Sequence, residues 1–234
     1  MLLAAGLGTR MKPITDTRPK ALVEVAGRTL VDRVLDKLAA QGVTRAIVNV
    51  HHFPEQLEAH LRARKDIQVI FSDERGLLLE TGGGVIKALP LLGEAPFFAI
   101  NTDVTWATPG DATFLNMAEA YNPDTMDALL LLADMGATLG YRGAGDFFLT
   151  TDGQLVRRGE RERAPYVFAG THITRAEKLR GYKIEPFSAN LYWNAMGRAG
   201  RLYGHVMARF WMHVGDPTGR VEAEDRLLAM GPGS

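Results

Sequence analysis

An apolar start, Leu2-Leu3-Ala4-Ala5, runs straight into Gly6-Leu7-Gly8-Thr9-Arg10, and Lys12-Pro13 and Arg18-Pro19-Lys20 follow at once. No other stretch limits the chain so strongly. It reads as a short buried strand that ends in a glycine turn. Backbone without a Cβ lets N–H groups come close to an anion. Arg10 offers a planar fork and Lys20 a point charge, the two cation types that neutralise phosphate oxygens. A Gly-x-Gly pair on its own marks only a tight turn; the added Thr9-Arg10 and Arg18-Pro19-Lys20 turn it into a polyphosphate cradle. Two better-known phosphate loops do not fit. The dinucleotide fingerprint needs a third glycine where Met11 stands, which argues against a nicotinamide-dependent oxidoreductase, and no Gly-Lys-Ser/Thr ending follows.

The cradle has to work by local placement of charge. Lys plus Arg and Asp plus Glu are both 27, so the net charge is zero and no global field favours nucleic acid or an anionic membrane. With 234 residues, 46% of them hydrophobic, a single domain over 1–234 is expected, at the upper end of one-core size. The absence of cysteine suits a cytoplasmic setting. No apolar run is long enough for a membrane span, and no signal peptide is expected. Met1–Ala5 is short for a first strand, which leads us to expect residues upstream. No heptad repeat or symmetric patch marks an oligomer interface.

Downstream, the periodicities alternate. Helices are expected at 29–41, with Leu30, Val34, Leu35 and Leu38 as the apolar stripe, and at 54–64; strands are expected at 45–50 and 67–72. This strand–helix order implies βαβ units and parallel pairing. Residues 77–84, closing on Gly82-Gly83-Gly84, read as a flexible loop that opens into a short helix at 85–89. A strand at 97–100 ends in Asn101-Thr102-Asp103, and an acid at the carboxyl end of a central strand sits where doubly wound sheets bind ligands, although a turn or cap aspartate has the same look. Further on we expect a helix at 111–121, a strand at 127–133, a hairpin of 145–149 with 154–156 about Asp152-Gly153, and a strand at 166–171. A helix at 188–199 capped by Ser188, a final hairpin of 202–207 with 209–212, and a last helix at 218–230 complete the chain. The arginine- and glutamate-rich run 157–163 reads as a solvated rim.

The motif Leu3-Ala4-Ala5-Gly6-x-Gly8-Thr9-Arg10-Met11-x-Pro13-x-Thr15, with Pro19-Lys20-x-Leu22-x-x-Val25-x-Gly27, resembles the signature of the sugar-1-phosphate nucleotidyltransferases, and the likeness runs to the C-terminus. Glu80-Thr81-Gly82-Gly83-Gly84 with Lys87-Ala88-Leu89-Pro90 narrows it to a uridylyl-transferring branch that serves cell-wall sugar recycling. The resemblance implies an α/β fold: a Rossmann-like, three-layer α/β/α arrangement of the GT-A kind around a mostly parallel sheet. It implies a nucleoside triphosphate, UTP favoured, and a sugar-1-phosphate, N-acetylmuramate-1-phosphate favoured, with Mg²⁺ as cofactor. Nucleotide binding then falls to Ala4, Ala5, Gly6, Gly8, Thr9, Arg10, Lys20, Glu80, Gly82 and Gly83, and sugar binding to Asn101, Asp146 and Gly170. Arg10 and Lys20 are the expected catalytic cations, and Asp103 the expected metal ligand. A lactyl carboxylate on the sugar would call for a cation, with Lys183, Arg198 and Arg201 as candidates.

Two positions depart from the family pattern. Thr102 replaces a glycine between Asn101 and Asp103. At the last strand exit, where the family carries a second metal-binding Asp, the chain has His213, with Asp216 three residues on. Mg²⁺ prefers oxygen ligands, so Asp216 is the expected second ligand, with His213 beside the metal as the alternative and a helix-cap role for Asp216 equally in keeping with Pro217. Other sugar-1-phosphate nucleotidyltransferases of the mannose guanylyl or glucose type, and a non-catalytic nucleotide-binding module, are the competing functional readings.

Overall fold

A computed structural model describes residues 1–106 and 111–231. In chain order its elements are β1 (Leu2–Leu3), β2 (Glu24–Val25), β3 (Arg28–Thr29), α1 (Leu30–Ala40), β4 (Arg45–Val50), α2 (Pro54–Arg62), β5 (Gln68–Asp73), α3 (Glu80–Leu92), β6 (Phe97–Asn101), β7 (Val104–Trp106), α4 (Thr113–Ala120), β8 (Ala128–Asp134), β9 (Thr138–Leu139), β10 (Phe147–Leu149), β11 (Leu155–Arg157), β12 (Tyr166–Thr174), α5 (Asn190–Arg198), β13 (Leu202–Val206), β14 (Trp211–His213) and α6 (Pro217–Met230).

Nine strands form one mixed sheet with the path β11-β10-β12-β6-β1-β4-β5, to which β8 adds beside β12 and β13 beside β8. Strand β1, which leads into the glycine turn, lies at its middle, parallel to both β4 and β6, and β4 runs parallel to β5. Antiparallel pairing begins where β12 joins β6 and β8. Strand alternation sends side chains to opposite faces. Val48 and Val50 of β4, with Leu129 and Leu131 of β8, pack with α1, α2 and α4; Ile47, Leu130 and Leu132 pack with α3 and α5. These are the three layers. A third cluster seats α6 on Met11, Val23, Val25 and Met212, beneath the glycine turn. The α1 stripe is wholly buried, and Thr29 caps that helix by accepting the Asp32 N–H.

Three expectations need correction. Residues 80–84 are not a flexible loop: α3 begins at Glu80 and carries Gly82, Gly83 and Gly84 in its first turns. The glycines are required by contact, since a Cβ would lie 2.4 Å from Phe187 Cε2 at Gly82, 2.1 Å from the Glu185 carbonyl oxygen at Gly83 and 2.8 Å from Glu74 Oε1 at Gly84. The run is close packing of the 185–187 segment and Glu74 onto a helix, which composition alone cannot distinguish from looseness. Nor do 202–207 and 209–212 form a hairpin. β13 extends the main sheet parallel to β8, while β14 crosses to a separate small sheet, antiparallel to β7 and parallel to β9. Finally, α5 starts at Asn190, and Ser188 accepts the Asn190 N–H without being the cap residue. The 145–157 hairpin is observed as expected.

Candidate active site

The carboxyl ends of β1 and β6 open beside the first turn of α3 and enclose a cavity of about 420 Å³. Seven of the expected site residues line it: Ala4, Ala5, Gly6, Lys20, Glu80, Asn101 and Asp103, joined by Asn49, Thr81, Thr102 and Ser188. Beyond Ala5 the chain turns through Gly8, whose φ of +63° and 2.8 Å clearance to Thr15 Cγ2 exclude any side chain. Among the described residues the N–H groups of Gly6, Leu7 and Gly8 have no protein acceptor. Unspent amides at a glycine turn form a nest for an anion. Thr9 and Arg10 lie in the following short helical turn, exposed, and Arg10 has no ion-pair partner among the described residues.

Asp103 is the electrostatic centre. Lys20 Nζ donates to its Oδ2 at 2.8 Å, and His213 Nε2 lies 3.6 Å from the same oxygen. Burial works against the charge on Asp103, but Lys20, followed by His213, overrides it and holds the carboxyl well below the usual carboxylate range. The β14–β7 pairing puts His213 opposite Val104 and so delivers its ring here; the ring stacks on Trp211 at 5.8 Å and an interplanar angle of 15°. Asp216 is not brought into this group. Its Oδ1 caps α6 by accepting the Gly219 N–H at 2.8 Å, and among the described residues no three His, Cys, Asp or Glu converge as a metal cluster. Among the described residues, Asp103 is the carboxylate at the β6 exit beside Lys20. Mg²⁺ commonly binds through one or two carboxylates with substrate phosphates and water completing the shell, so the donor set fits a divalent ion that arrives with a phosphate-rich substrate.

The remaining expected residues take supporting positions. The Gly82 N–H donates to the Phe187 carbonyl at 2.8 Å and the Gly83 N–H to the same oxygen at 3.2 Å, so these amides are spent inside the protein, while Glu80, at φ +58°, and Thr81 face the cavity. Thr102 is buried and donates to the Leu3 carbonyl at 3.1 Å, tying the β6 exit to β1. Gly170 forms a bulge where β12 shifts register against β8; its φ is +82°, and a Cβ there would come within 2.9 Å of Val104 and 3.4 Å of Asn101. Asp146 accepts the Phe168 N–H at 2.9 Å and so anchors the strand behind that bulge.

Sequence reasoning missed Asn49 and Glu74. Asn49 Oδ1 accepts the N–H groups of Ala4 at 2.6 Å and Ala5 at 3.2 Å, and its Nδ2 donates to Glu74 Oε1 at 2.8 Å. Glu74 Oε2 in turn accepts the Leu79 N–H at 3.1 Å. Both side chains are buried, so this relay fixes the end of β1 against the start of α3. A lone polar residue near the end of the apolar run 46–50, and an acid just past the end of β5, were the available signals. The N–H groups of Ala4 and Ala5, two residues expected at the nucleotide, are thereby committed to Asn49.

A second cavity of about 170 Å³ adjoins the first, sharing Leu3, Thr81, Asn101 and Ser188, and is walled by Phe168, His172, Asn190 and Trp193. His172 meets the Tyr192 hydroxyl at 3.1 Å; burial pushes the imidazole down to about 3 and the phenol up. This wall is aromatic and uncharged.

A glycine nest, a Lys–Asp pair and a double cavity at the exits of parallel strands define a nucleotide-handling transferase. The model of the MobA-like NTP transferase domain matches residues 1–181, and the chain belongs to that family. A Caulobacter vibrioides protein named N-acetylmuramate alpha-1-phosphate uridylyltransferase is 46% identical over 97% of this chain and 96% of its own length. Its namesake from Neisseria meningitidis serogroup B is 33% identical over 92% of each chain. Among solved structures, HddC from Yersinia pseudotuberculosis complexed with GMP-PN superposes with a TM-score of 0.76 at 21% identity, covering 96% of this chain and 97% of the other, a likeness of fold. Within the family, this chain is a sugar-1-phosphate nucleotidyltransferase.

Proposed function

We propose that the protein transfers a uridylyl group from UTP to N-acetylmuramate-1-phosphate and releases pyrophosphate, as a cytoplasmic step of cell-wall sugar recycling. The observation that carries this reading is the 46% identity, sustained over nearly both whole chains, to a protein of that name; the glycine turn with its free amides beside a double cavity supports it. A sugar-phosphate oxygen attacks the α-phosphorus, a bond forms from that oxygen to phosphorus, and the bond to the β-phosphate bridge breaks. The nucleophile is already anionic, so no general base is needed. The work is positioning and charge stabilisation.

In this reading the free amides from Gly6 to Gly8 cradle the triphosphate, with Thr9 beside them. Arg10, exposed and unpaired, neutralises the β- and γ-phosphates and the departing pyrophosphate. Lys20 bridges the α-phosphate and the sugar phosphate. Glu80 and Thr81 border the base and ribose, with Gly82 and Gly83 letting α3 approach closely. Asn101 faces the sugar at the junction of the two cavities, supported from behind by Gly170 and Asp146. Asp103 would hold Mg²⁺, whose chemistry there would be stabilisation of charge on the α-phosphate; Lys20, poised on Asp103 at 2.8 Å, is the protein's own cation for phosphate. His213 replaces a second carboxylate beside Asp103, and Asp216 serves first as the α6 cap.

Pyrophosphate release tests the proposal, with UTP, GTP, CTP, ATP and dTTP crossed against N-acetylmuramate-, N-acetylglucosamine-, glucose- and mannose-1-phosphate. Turnover confined to UTP with the muramate sugar is expected. Turnover with another pair would keep the class and discard the substrate; binding of nucleotide without pyrophosphate release from any pair would discard catalysis.

A further inference from the structure

N-acetylmuramate differs from its parent amino sugar by a lactyl ether that carries a carboxylate, so an enzyme that selects it needs a cation near the acceptor. Among the residues lining the two cavities the one cation is Lys20, and it is paired with Asp103 and claimed by phosphates. The candidates visible in sequence are poorly placed. Arg201 is committed to Asp127 at 2.7 Å. Arg198 stands eight residues beyond Asn190 on α5, about 12 Å along the axis from the cavity end. Lys183 is exposed on the loop before α5.

Arg157 is different. Its Nη2 donates to Asn190 Oδ1 at 2.6 Å, and Asn190 lines the second cavity; its Nε donates to Asn194 Oδ1 at 3.0 Å, one turn further along α5. The guanidinium lies over the Phe147 ring at 4.6 Å. It also borders a shallow hollow that shares Trp193 with the second cavity. Among the described residues it has no carboxylate partner: two neutral amides and a ring face hold it. Burial lowers its pKa against a smaller opposing pull from Asp146, whereas Arg28, Arg75 and Arg201, bonded to carboxylates, are raised. A half-buried guanidinium, pre-oriented and short of an anion, is a carboxylate receptor in waiting.

We propose that Arg157, held by Asn194 and by Asn190 of the second cavity's lining, is the specificity-determining residue that reads a carboxylate on the sugar-1-phosphate. This rests on the functional reading above and deepens it. The test compares Arg157→Gln, Arg157→Lys and wild type with UTP and two acceptors, N-acetylmuramate-1-phosphate and N-acetylglucosamine-1-phosphate, which lacks the carboxylate. A charged hydrogen bond lost from recognition corresponds to about a ten- to hundredfold change. Arg157→Gln is expected to raise KM for the muramate acceptor by that factor, to leave KM for UTP and kcat/KM for the carboxylate-free acceptor unchanged, and Arg157→Lys to recover part of the loss. Equal losses on both acceptors, or none, overturn the proposal. If Arg157→Gln does not fold, Arg157→Lys carries the test, with about a three- to tenfold rise on the muramate acceptor alone expected and an unchanged preference refuting it. Wild-type enzyme inactive on the muramate acceptor would remove the functional reading and this inference together; wild-type activity with unaltered preference in the variants would remove only the inference.

Discussion

Replacing Asn49 by Asp separates the electrostatic role of the Asn49–Glu74 relay from its shape. The substitution is nearly isosteric and keeps an oxygen to accept the Ala4 and Ala5 N–H groups, but it replaces the amide donor with a carboxylate oxygen about 2.8 Å from Glu74 Oε1. Two buried charges at that distance repel by about 6 kcal/mol at an effective dielectric near 20. The pair has a cheaper option, which is to keep one proton. Holding a proton at pH 7 on a group whose unfolded pKa is about 4 costs about 4 kcal/mol, at about 1.4 kcal/mol per pH unit. The folded pair thus has a raised pKa and binds a proton that the unfolded chain has released. Stability is therefore present at low pH and lost as pH rises. We expect Asn49→Asp to be about 4 kcal/mol less stable than wild type at pH 7, about 1.4 kcal/mol less at pH 5, and close to wild type near pH 4. Urea unfolding of both proteins at pH 5, 6, 7 and 8 measures the difference directly. Asn49→Leu is the control: it orphans two buried amides, at about 1–3 kcal/mol each, and removes the donor to Glu74 without adding a second carboxylate, so the larger part of its deficit should persist at low pH, where that of Asn49→Asp vanishes. A pH-independent deficit in Asn49→Asp would refute the direct Asn49–Glu74 contact on which the argument rests.

Other consequences are as specific. Lys20→Ala and Asp103→Ala should each lower kcat at least a hundredfold, about 3–4 kcal/mol of charge stabilisation, with an unchanged circular dichroism spectrum; retention of more than about a tenth of the wild-type rate would exclude the assigned role. Gly83→Ala drives a methyl to 2.1 Å from the Glu185 carbonyl oxygen and should cost about 1–3 kcal/mol or more, read as a fall in melting temperature, whereas Gly6→Ala, with nothing within 4 Å of its Cβ, should leave the melting temperature nearly unchanged while impairing triphosphate binding. His172, neutral in the fold with its pKa pushed down to about 3, stays unprotonated while the unfolded chain gains a proton below about pH 6.5, so stability should fall by up to about 1.4 kcal/mol per unit as pH drops from 6.5 to 3. His172→Gln should flatten that slope, and an unchanged slope would show that another group supplies it.

Local chemistry determined a good deal by itself. Gly6, Gly8, Arg10 and Lys20 lie close in sequence, and a turn geometry follows from the residues that compose it, so the glycine turn was readable without the fold. The helical stripe of α1 and the apolar runs of β4, β6 and β8 were equally local, since each is a periodicity imposed by one element on its own side chains. Asp103 was visible because it ends such a strand.

What the sequence could not decide were pairings between distant segments. The three glycines of α3 look loose as composition and are tight in space, because the atoms that forbid a Cβ belong to Glu74, Glu185 and Phe187. β13 and β14 adjoin in sequence yet lie in different sheets, because the face each must bury, not the turn between them, selects the partner. Asn49 holds Ala4, 45 residues away, and Glu74 holds Asn49 across 25 more. The 157–163 run reads as a solvated rim from its charge, yet Arg157 is turned inward by two asparagines of α5. Burial and hydrogen-bond satisfaction are settled only when the chain has closed, which is why the glycine turn and its neighbouring cations were legible early and the packing around them was not.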